Sequence, residues 1–64
     1  MVKINGAELK AAGRTVAEYL TENGYDTKRV AVELNGEILP KAQYVSTILQ
    51  DGDSVEVVSF VGGG

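Results

Sequence analysis

Two Asn-Gly pairs, Asn5-Gly6 and Asn35-Gly36, most strongly restrict the fold of this 64-residue chain. Asn-Gly tolerates the positive φ angles of a type I′ turn, which joins two strands into a tight hairpin. Apolar and polar residues alternate before each pair, as they do in a half-buried strand. We therefore predict two β-hairpins, the first over residues 2–10 and the second over residues 30–39, where Pro40 ends the pairing.

One amphipathic helix is predicted between the hairpins. Thr15 and Glu18 match a Thr-x-x-Glu capping box, in which each side chain satisfies a backbone N–H at the start of a helix. The apolar residues that follow recur at helical spacing and form one stripe: Val16, Tyr19 and Leu20. Gly24 is typical of the left-handed residue that ends a helix, and Tyr25 is then placed to pack back on it.

The last third of the chain predicts an irregular connection followed by a final strand. Four apolar residues favour a short helical turn or a packed loop over residues 41–49: Tyr44, Val45, Ile48 and Leu49. Asp51-Gly52-Asp53 has the composition of a turn. Residues 53–61 then alternate as a strand does.

A strand sends successive side chains to opposite faces of the sheet, so the final strand has one inner and one outer face. We place Val55 and Val57 in the core. Val58 and Phe60 then lie on the outer face, where exposed apolar side chains predict a docking surface for a partner. A register shift of one residue would turn Val58 and Phe60 inward and expose Val57.

Two hairpins, one helix and one terminal strand predict an α+β fold. The economical arrangement is a single mixed sheet packed on the helix, the ubiquitin-like β-grasp. The helix supplies a crossover long enough for the first and last strands to lie parallel at the centre of the sheet. We expect one β-grasp domain over residues 1–61 and a flexible glycine tail over residues 62–64.

Composition excludes several kinds of activity. The chain has neither Cys nor His, so it lacks a thiolate nucleophile and the usual general base at neutral pH. We therefore expect no catalytic residue in the chain. We also expect no metal site, because Asp51, Asp53 and Glu56 do not have the spacing of a calcium loop.

Charge and hydropathy argue against nucleic acid and membranes as partners. The net charge is -3, and the basic residues are scattered along the sequence: Lys3, Lys10, Arg14, Lys28, Arg29 and Lys41. Nucleic acid needs a clustered basic face, whereas an acidic chain favours a basic protein surface. No apolar run approaches the roughly 20 residues of a membrane span, and the first residues lack a signal pattern. We expect a cytoplasmic protein that binds neither nucleic acid nor membrane.

The sequence ends in Gly62-Gly63-Gly64, directly after the final strand. Glycine has no Cβ, so such a tail can pass through a channel that larger residues would block. The group delivered in this way is the α-carboxylate of Gly64, with Gly62 and Gly63 needed for threading. The alternative is a frayed terminus or a cloning remnant, which glycine runs often are.

Taken together, these segments resemble the ThiS family, the sulfur carriers of thiamin biosynthesis. The resemblance rests on three segments and the residue between the first two: the hairpin Leu34-Asn35-Gly36-Glu37-Ile38-Leu39-Pro40, the following Tyr44, the turn Leu49-Gln50-Asp51-Gly52-Asp53 and the terminal Val61-Gly62-Gly63-Gly64. It covers essentially the whole chain.

The resemblance implies a carrier that is turned over by enzymes and catalyses nothing itself. In this family an E1-like enzyme uses ATP and Mg²⁺ to adenylate the terminal glycine, here Gly64. The adenylate is converted to a thiocarboxylate with sulfur from a donor protein, and thiazole synthase receives that sulfur. This chain would then bind no cofactor itself and would be a monomer when free.

Two alternatives remain at this point. The small subunit of molybdopterin synthase also ends in Gly-Gly on a β-grasp body, although it is usually longer and lacks the Asn-Gly-Glu-x-x-Pro segment found here. A β-grasp module that only binds partners would use the same fold without a reactive tail. Adenylation of the tail would exclude this last possibility.

Overall fold

The computed structural model of this protein describes residues 1–60, so the predicted tail and its boundary with the domain lie outside the described residues. In chain order the elements are β1 (Val2–Ile4), β2 (Ala7–Leu9), α1 (Val16–Glu22), a 3₁₀ turn (Thr27–Arg29), β3 (Val30–Leu34), β4 (Glu37–Leu39), a second 3₁₀ turn (Lys41–Gln43) and β5 (Ser54–Ser59).

The strands form one mixed sheet in the order β2-β1-β5-β3-β4. β1 and β5 are parallel, and the other neighbouring strands are antiparallel. The last strand is therefore the central one, with the first strand beside it. This confirms the predicted β-grasp fold, in which a mixed sheet packs on one helix.

Both Asn-Gly pairs form the predicted type I′ turns. The φ angles are 50° and 86° at Asn5 and Gly6, and 52° and 85° at Asn35 and Gly36. The returning strand was expected over Glu8 to Lys10 but is Ala7–Leu9, one residue earlier, because the two-residue turn pairs Ala7 directly with Ile4.

The capping signals of α1 are confirmed at both ends. Glu18 N–H donates to Thr15 Oγ1 at 3.1 Å, and Thr15 N–H donates to Glu18 Oε1 at 2.9 Å. At the other end Gly24 has a φ of 80°, and Tyr25 N–H donates to the Leu20 carbonyl at 2.9 Å. These bonds satisfy backbone groups that a helix terminus otherwise leaves unpaired.

The loop between β4 and β5 closes the N-terminal end of the helix. The N–H groups of Val16 and Ala17 each donate to a carbonyl of this loop at 2.9 Å. Tyr44 and Leu49 of the loop are buried in the core, as a packed loop requires. The other two apolar side chains of the segment are exposed instead: Val45 and Ile48.

The 3₁₀ turn at Thr27–Arg29 is an element that the sequence pattern did not predict. Asp26 caps it, because its Oδ1 accepts the Lys28 N–H at 2.9 Å. Lys41 Nζ donates to the Lys28 carbonyl at 2.7 Å and so joins the two 3₁₀ turns.

The core lies between α1 and the inner face of the sheet. Its buried members are Val2, Ile4, Ala11, Val16, Leu20, Val30, Val32, Leu39, Tyr44, Leu49, Val55 and Val57. Tyr19 and Tyr25 pack at its boundary. No helix in the described part of the chain is long and apolar enough to cross a membrane.

Candidate functional site

The candidate site is the outer face of the sheet near the end of β5, from which the chain continues toward its glycines. Val55 and Val57 are 3% and 7% exposed on the inner face, whereas Val58 and Phe60 are 52% and 57% exposed. The predicted register of the final strand is therefore confirmed. A docking role for Val58 and Phe60 stays a prediction.

Backbone hydrogen bonds hold the final strand as far as its last described residue. Ser59 pairs with Val30, and Phe60 N–H then donates to the Arg29 carbonyl at 2.7 Å. The domain is thus hydrogen-bonded up to the residue that precedes Val61. The roles predicted for Gly62, Gly63 and Gly64 concern residues outside the described part and stay predictions.

The Asn5 side chain holds β5 on the opposite side from β3. Asn5 Nδ2 donates to the Val57 carbonyl at 3.2 Å, and Val57 N–H donates to Asn5 Oδ1 at 2.8 Å. Since β1 ends at Ile4, these bonds extend the parallel pairing of β5 beyond the end of β1. Sequence reasoning missed this role, because the positive φ of a type I′ turn already explained the asparagine.

Asn35 holds the beginning of β5 in the same manner. Its Oδ1 accepts the Ser54 N–H at 2.9 Å, and its Nδ2 donates to Asp53 Oδ1 at 3.1 Å. Both hairpin turns are therefore bonded to the central strand through their asparagine side chains. The two side chains hold β5 at Ser54 and at Val57.

The three carboxylates Asp51, Asp53 and Glu56 have different roles in the structure. Asp51 accepts a hydrogen bond from the Met1 ammonium at 2.5 Å, and Asp53 Oδ2 accepts the Gln50 N–H at 2.9 Å. Both belong to the turn before β5, while Glu56 lies on the outer face. Within residues 1–60, no three His, Cys, Asp or Glu side chains are grouped so as to hold a metal ion.

Strand pairing adds neighbours to the predicted docking residues. Val58 lies directly opposite Ala31 of β3, and Ile38 of β4 shares the outer face, where it is 78% exposed. We call these residues the outer patch: Ala31, Ile38, Val58 and Phe60. The sequence did not predict Ala31 and Ile38 as part of this surface, because only the strand pairing shows that they share a face with Val58.

The tyrosines belong to the core and its boundary, as predicted. Burial raises the pKa of the Tyr44 phenol. Burial, with a smaller contribution from Tyr25, also raises the pKa of Tyr19. These phenols are therefore neutral at physiological pH, and their burial argues against a surface stacking platform.

The described residues favour binding over catalysis. The outer patch offers apolar area on a rigid sheet, and the chain has no thiol or imidazole to act as nucleophile or base. Such an arrangement can dock a partner and present the segment that follows Phe60.

Comparison with known proteins gives a consistent result. The model of the ThiS family matches residues 2–64. The sulfur carrier protein ThiS of Thermus thermophilus is 42% identical over 64 residues and is covered completely, as is this chain. The crystal structure of the thiamine biosynthesis protein ThiS from Geobacter metallireducens has a TM-score of 0.76 and 36% identity, covering 98% of this chain and 97% of that one.

A second kind of relative is much longer. A thiazole synthase of Paramagnetospirillum magneticum is 48% identical over 62 residues, which are 95% of this chain. The chain spans only 19% of the length of that synthase. A domain like this one therefore occurs within the same polypeptide as a thiazole synthase.

Proposed function

This chain belongs to the ThiS family, the sulfur carrier proteins of thiamine biosynthesis, and we propose that it carries its sulfur as a thiocarboxylate on Gly64. The observation that most supports this proposal is the position of the glycines. In the sequence, only two residues separate Gly62 from Ser59, the last residue of the central strand, and the first of them, Phe60, is hydrogen-bonded to Arg29. A rigid base with a side-chain-free extension suits delivery of a carboxylate into a narrow active site.

The proposed chemistry begins with an ionised carboxylate. An α-carboxyl group with a reference pKa of about 3.5 is fully ionised at neutral pH but is a poor acyl donor. Its oxygen attacks the α-phosphate of ATP, and pyrophosphate leaves. Hydrosulfide supplied by a sulfur donor then attacks the acyl-adenylate carbonyl, so that a C–S bond forms, the C–O bond to AMP breaks and AMP leaves. Loss of the thiol proton gives the thiocarboxylate.

Partners must supply everything else that this chemistry needs. We propose that an E1-like adenylating enzyme binds ATP and Mg²⁺, that a separate donor protein provides the sulfur, and that thiazole synthase accepts it. The relative from Paramagnetospirillum magneticum supports the choice of thiazole synthase. In this scheme the carrier is a co-substrate, monomeric when free, that works in the cytoplasm and docks through Val58 and Phe60.

Intact-mass analysis tests the proposal. The chain is incubated with a family adenylating enzyme, ATP, Mg²⁺ and a sulfur donor, and fragmentation then locates any added mass. We expect one oxygen to be replaced by sulfur on Gly64, and we expect no replacement in a matched variant that lacks only Gly64. Sulfur at another residue, or modification of the shortened variant, would contradict the proposal and favour a module that only binds partners.

A further inference from the structure

The outer face carries an unusual pair of charges beside the outer patch. The pairing of β3 with β5 places Glu33 directly opposite Glu56. Both side chains are exposed, and the strand parity puts them on the same face as Val58. Directly opposed side chains in a sheet have their Cβ atoms about 5 Å apart, and like charges at that distance are destabilising.

Neither carboxylate takes part in an ion pair within the described residues. Within residues 1–60, the ion pairs join Met1 to Asp51, Arg14 to Glu22 and Arg29 to Asp26. Lys3 shares the outer face on β1, beside β5, where it pairs with Ser54, two residues before Glu56, and it also lies opposite Glu8. The free carrier therefore holds two directly opposed carboxylates, with Lys3 as a diagonal neighbour of Glu56 and with no ion pair to either carboxylate among residues 1–60.

The pair is continuous with the apolar residues around it. In one row across the sheet Glu56 is followed by Glu33 and then by Ile38, and in the next row Val58 lies opposite Ala31. The carboxylates thus border the outer patch, with Val58 and Ala31 in the next row and Ile38 beside Glu33. A partner that covers the outer patch must also meet both charges, and a neutral or acidic surface would leave them buried without compensation.

We propose that this face binds a surface of thiazole synthase on which an arginine or lysine lies beside apolar side chains and pairs with both Glu33 and Glu56. The inference rests on the proposed function and adds the chemistry of the docking surface. Arginine fits this role well, since its planar guanidinium can donate to two carboxylates at once. Thiazole synthase is the partner because a domain 48% identical to this chain occurs within such a synthase.

The same charges argue against a second copy of the chain as the occupant. Two copies packed face to face through the outer patch would bring together four carboxylates, two from each copy. The net charge of -3 adds to this repulsion at longer range.

A binding titration with the cognate thiazole synthase tests the proposal. The carrier variants are Glu33→Gln, Glu56→Gln and the double substitution. Glu8→Gln is the matched control, because it removes a carboxylate from the same face at the opposite edge of the sheet. Glutamine keeps the size of the side chain and removes only the charge. The titrations are done at about 0.1 M and about 1 M salt, where charges are screened over about 10 Å and about 3 Å, so that the electrostatic part of the affinity can be measured.

We expect the double variant to bind the synthase about tenfold more weakly at the lower salt, and to lose most of the salt dependence of the wild type. Glu8→Gln should bind like the wild type. The unfolding midpoint of the double variant should equal or exceed that of the wild type, since a repulsion has been removed. This last result separates lost docking from lost folding.

Three results would overturn the proposal. The double variant could bind thiazole synthase as tightly as the wild type, or it could bind the adenylating enzyme more weakly while its affinity for thiazole synthase is unchanged. The third is self-association of the carrier through this face. Thiocarboxylate formation on Gly64 is measured on the same preparations. If Gly64 is modified but the substitutions at Glu33 and Glu56 do not change the affinity for thiazole synthase, only this inference fails. If wild-type Gly64 is never modified, the proposed function itself fails.

Discussion

Asn5 and Val57 exchange two hydrogen bonds, although 52 residues separate them in the sequence. The amide side chain of Asn5 acts as one further peptide unit of β1 and holds the parallel edge of β5. A type I′ turn requires only a positive φ at this position, which glycine also provides. The asparagine therefore serves two functions, one local and one tertiary.

We expect Asn5→Gly to destabilise the domain by about 2 kcal/mol, because it keeps the turn but removes two partly buried hydrogen bonds. Urea denaturation measures the loss. Asn5→Asp is the informative companion, since it keeps an acceptor for the Val57 N–H and places a carboxylate against the Val57 carbonyl. If Asn5→Gly is as stable as the wild type, these bonds contribute nothing beyond the turn.

Val57→Asp and Phe60→Asp should have opposite consequences. Val57 is 7% exposed, so an unpaired carboxylate there adds a desolvation cost to the lost burial, and a small domain has only roughly 5 kcal/mol of stability to lose. We expect that variant to unfold. Phe60→Asp should remain folded and bind the adenylating enzyme and thiazole synthase more weakly, because it removes an apolar anchor.

Circular dichroism and a binding titration on both aspartate variants check this contrast. A folded Val57→Asp would mean that the core tolerates a charge at the centre of β5. Wild-type affinity of Phe60→Asp would remove Phe60 from the docking surface.

Gly63→Val should block adenylation while the domain remains folded. A branched Cβ obstructs a narrow channel and disfavours backbone conformations that glycine adopts, whereas the core residues in the described part of the chain all lie within residues 2–57. Thermal unfolding and an adenylation assay with the E1-like enzyme measure the two effects. A large fall in the unfolding temperature would show that the tail contributes to folding, and normal adenylation would show that the channel accepts a side chain.

Stability should decrease as the pH rises above about 10, the ordinary pKa of tyrosine. Burial raises the folded-state pKa of Tyr44 and Tyr19, so above that pH the unfolded chain loses protons that the folded chain still holds. Fewer bound protons in the unfolded state mean that the free energy of unfolding falls with pH. Denaturant titrations from about pH 8 to about pH 11 follow this decrease.

Tyr44→Phe should make that alkaline decrease shallower, because it removes one of the two groups with a raised pKa. Tyr25→Phe should have a smaller effect, since it leaves both groups with a raised pKa in place and removes only the minor contribution of Tyr25 to Tyr19. An equally steep decrease in Tyr44→Phe would show that Tyr44 is not the source of the alkaline sensitivity.

The local elements could be predicted from the sequence, because their signals are short-range. A capping box, a left-handed Gly24 and two Asn-Gly turns each act within a few residues, and all adopt the predicted geometry. The alternation in residues 53–61 also predicted which side chains of β5 face the core. These choices depend on steric and hydrogen-bonding limits that hold before any tertiary contact forms.

Only the tertiary structure decided which residues of different strands are neighbours on the outer face of the sheet. The strand order places Glu33 opposite Glu56 and Ala31 opposite Val58, and no local pattern in either strand encodes that register. The bonds from Asn5 and Asn35 to β5 likewise join residues far apart in sequence. The sequence determined the two faces of each strand, because alternation is a property of one chain segment. Only the packing of the whole sheet determined which faces meet, because pairing depends on where the helix crossover returns the chain.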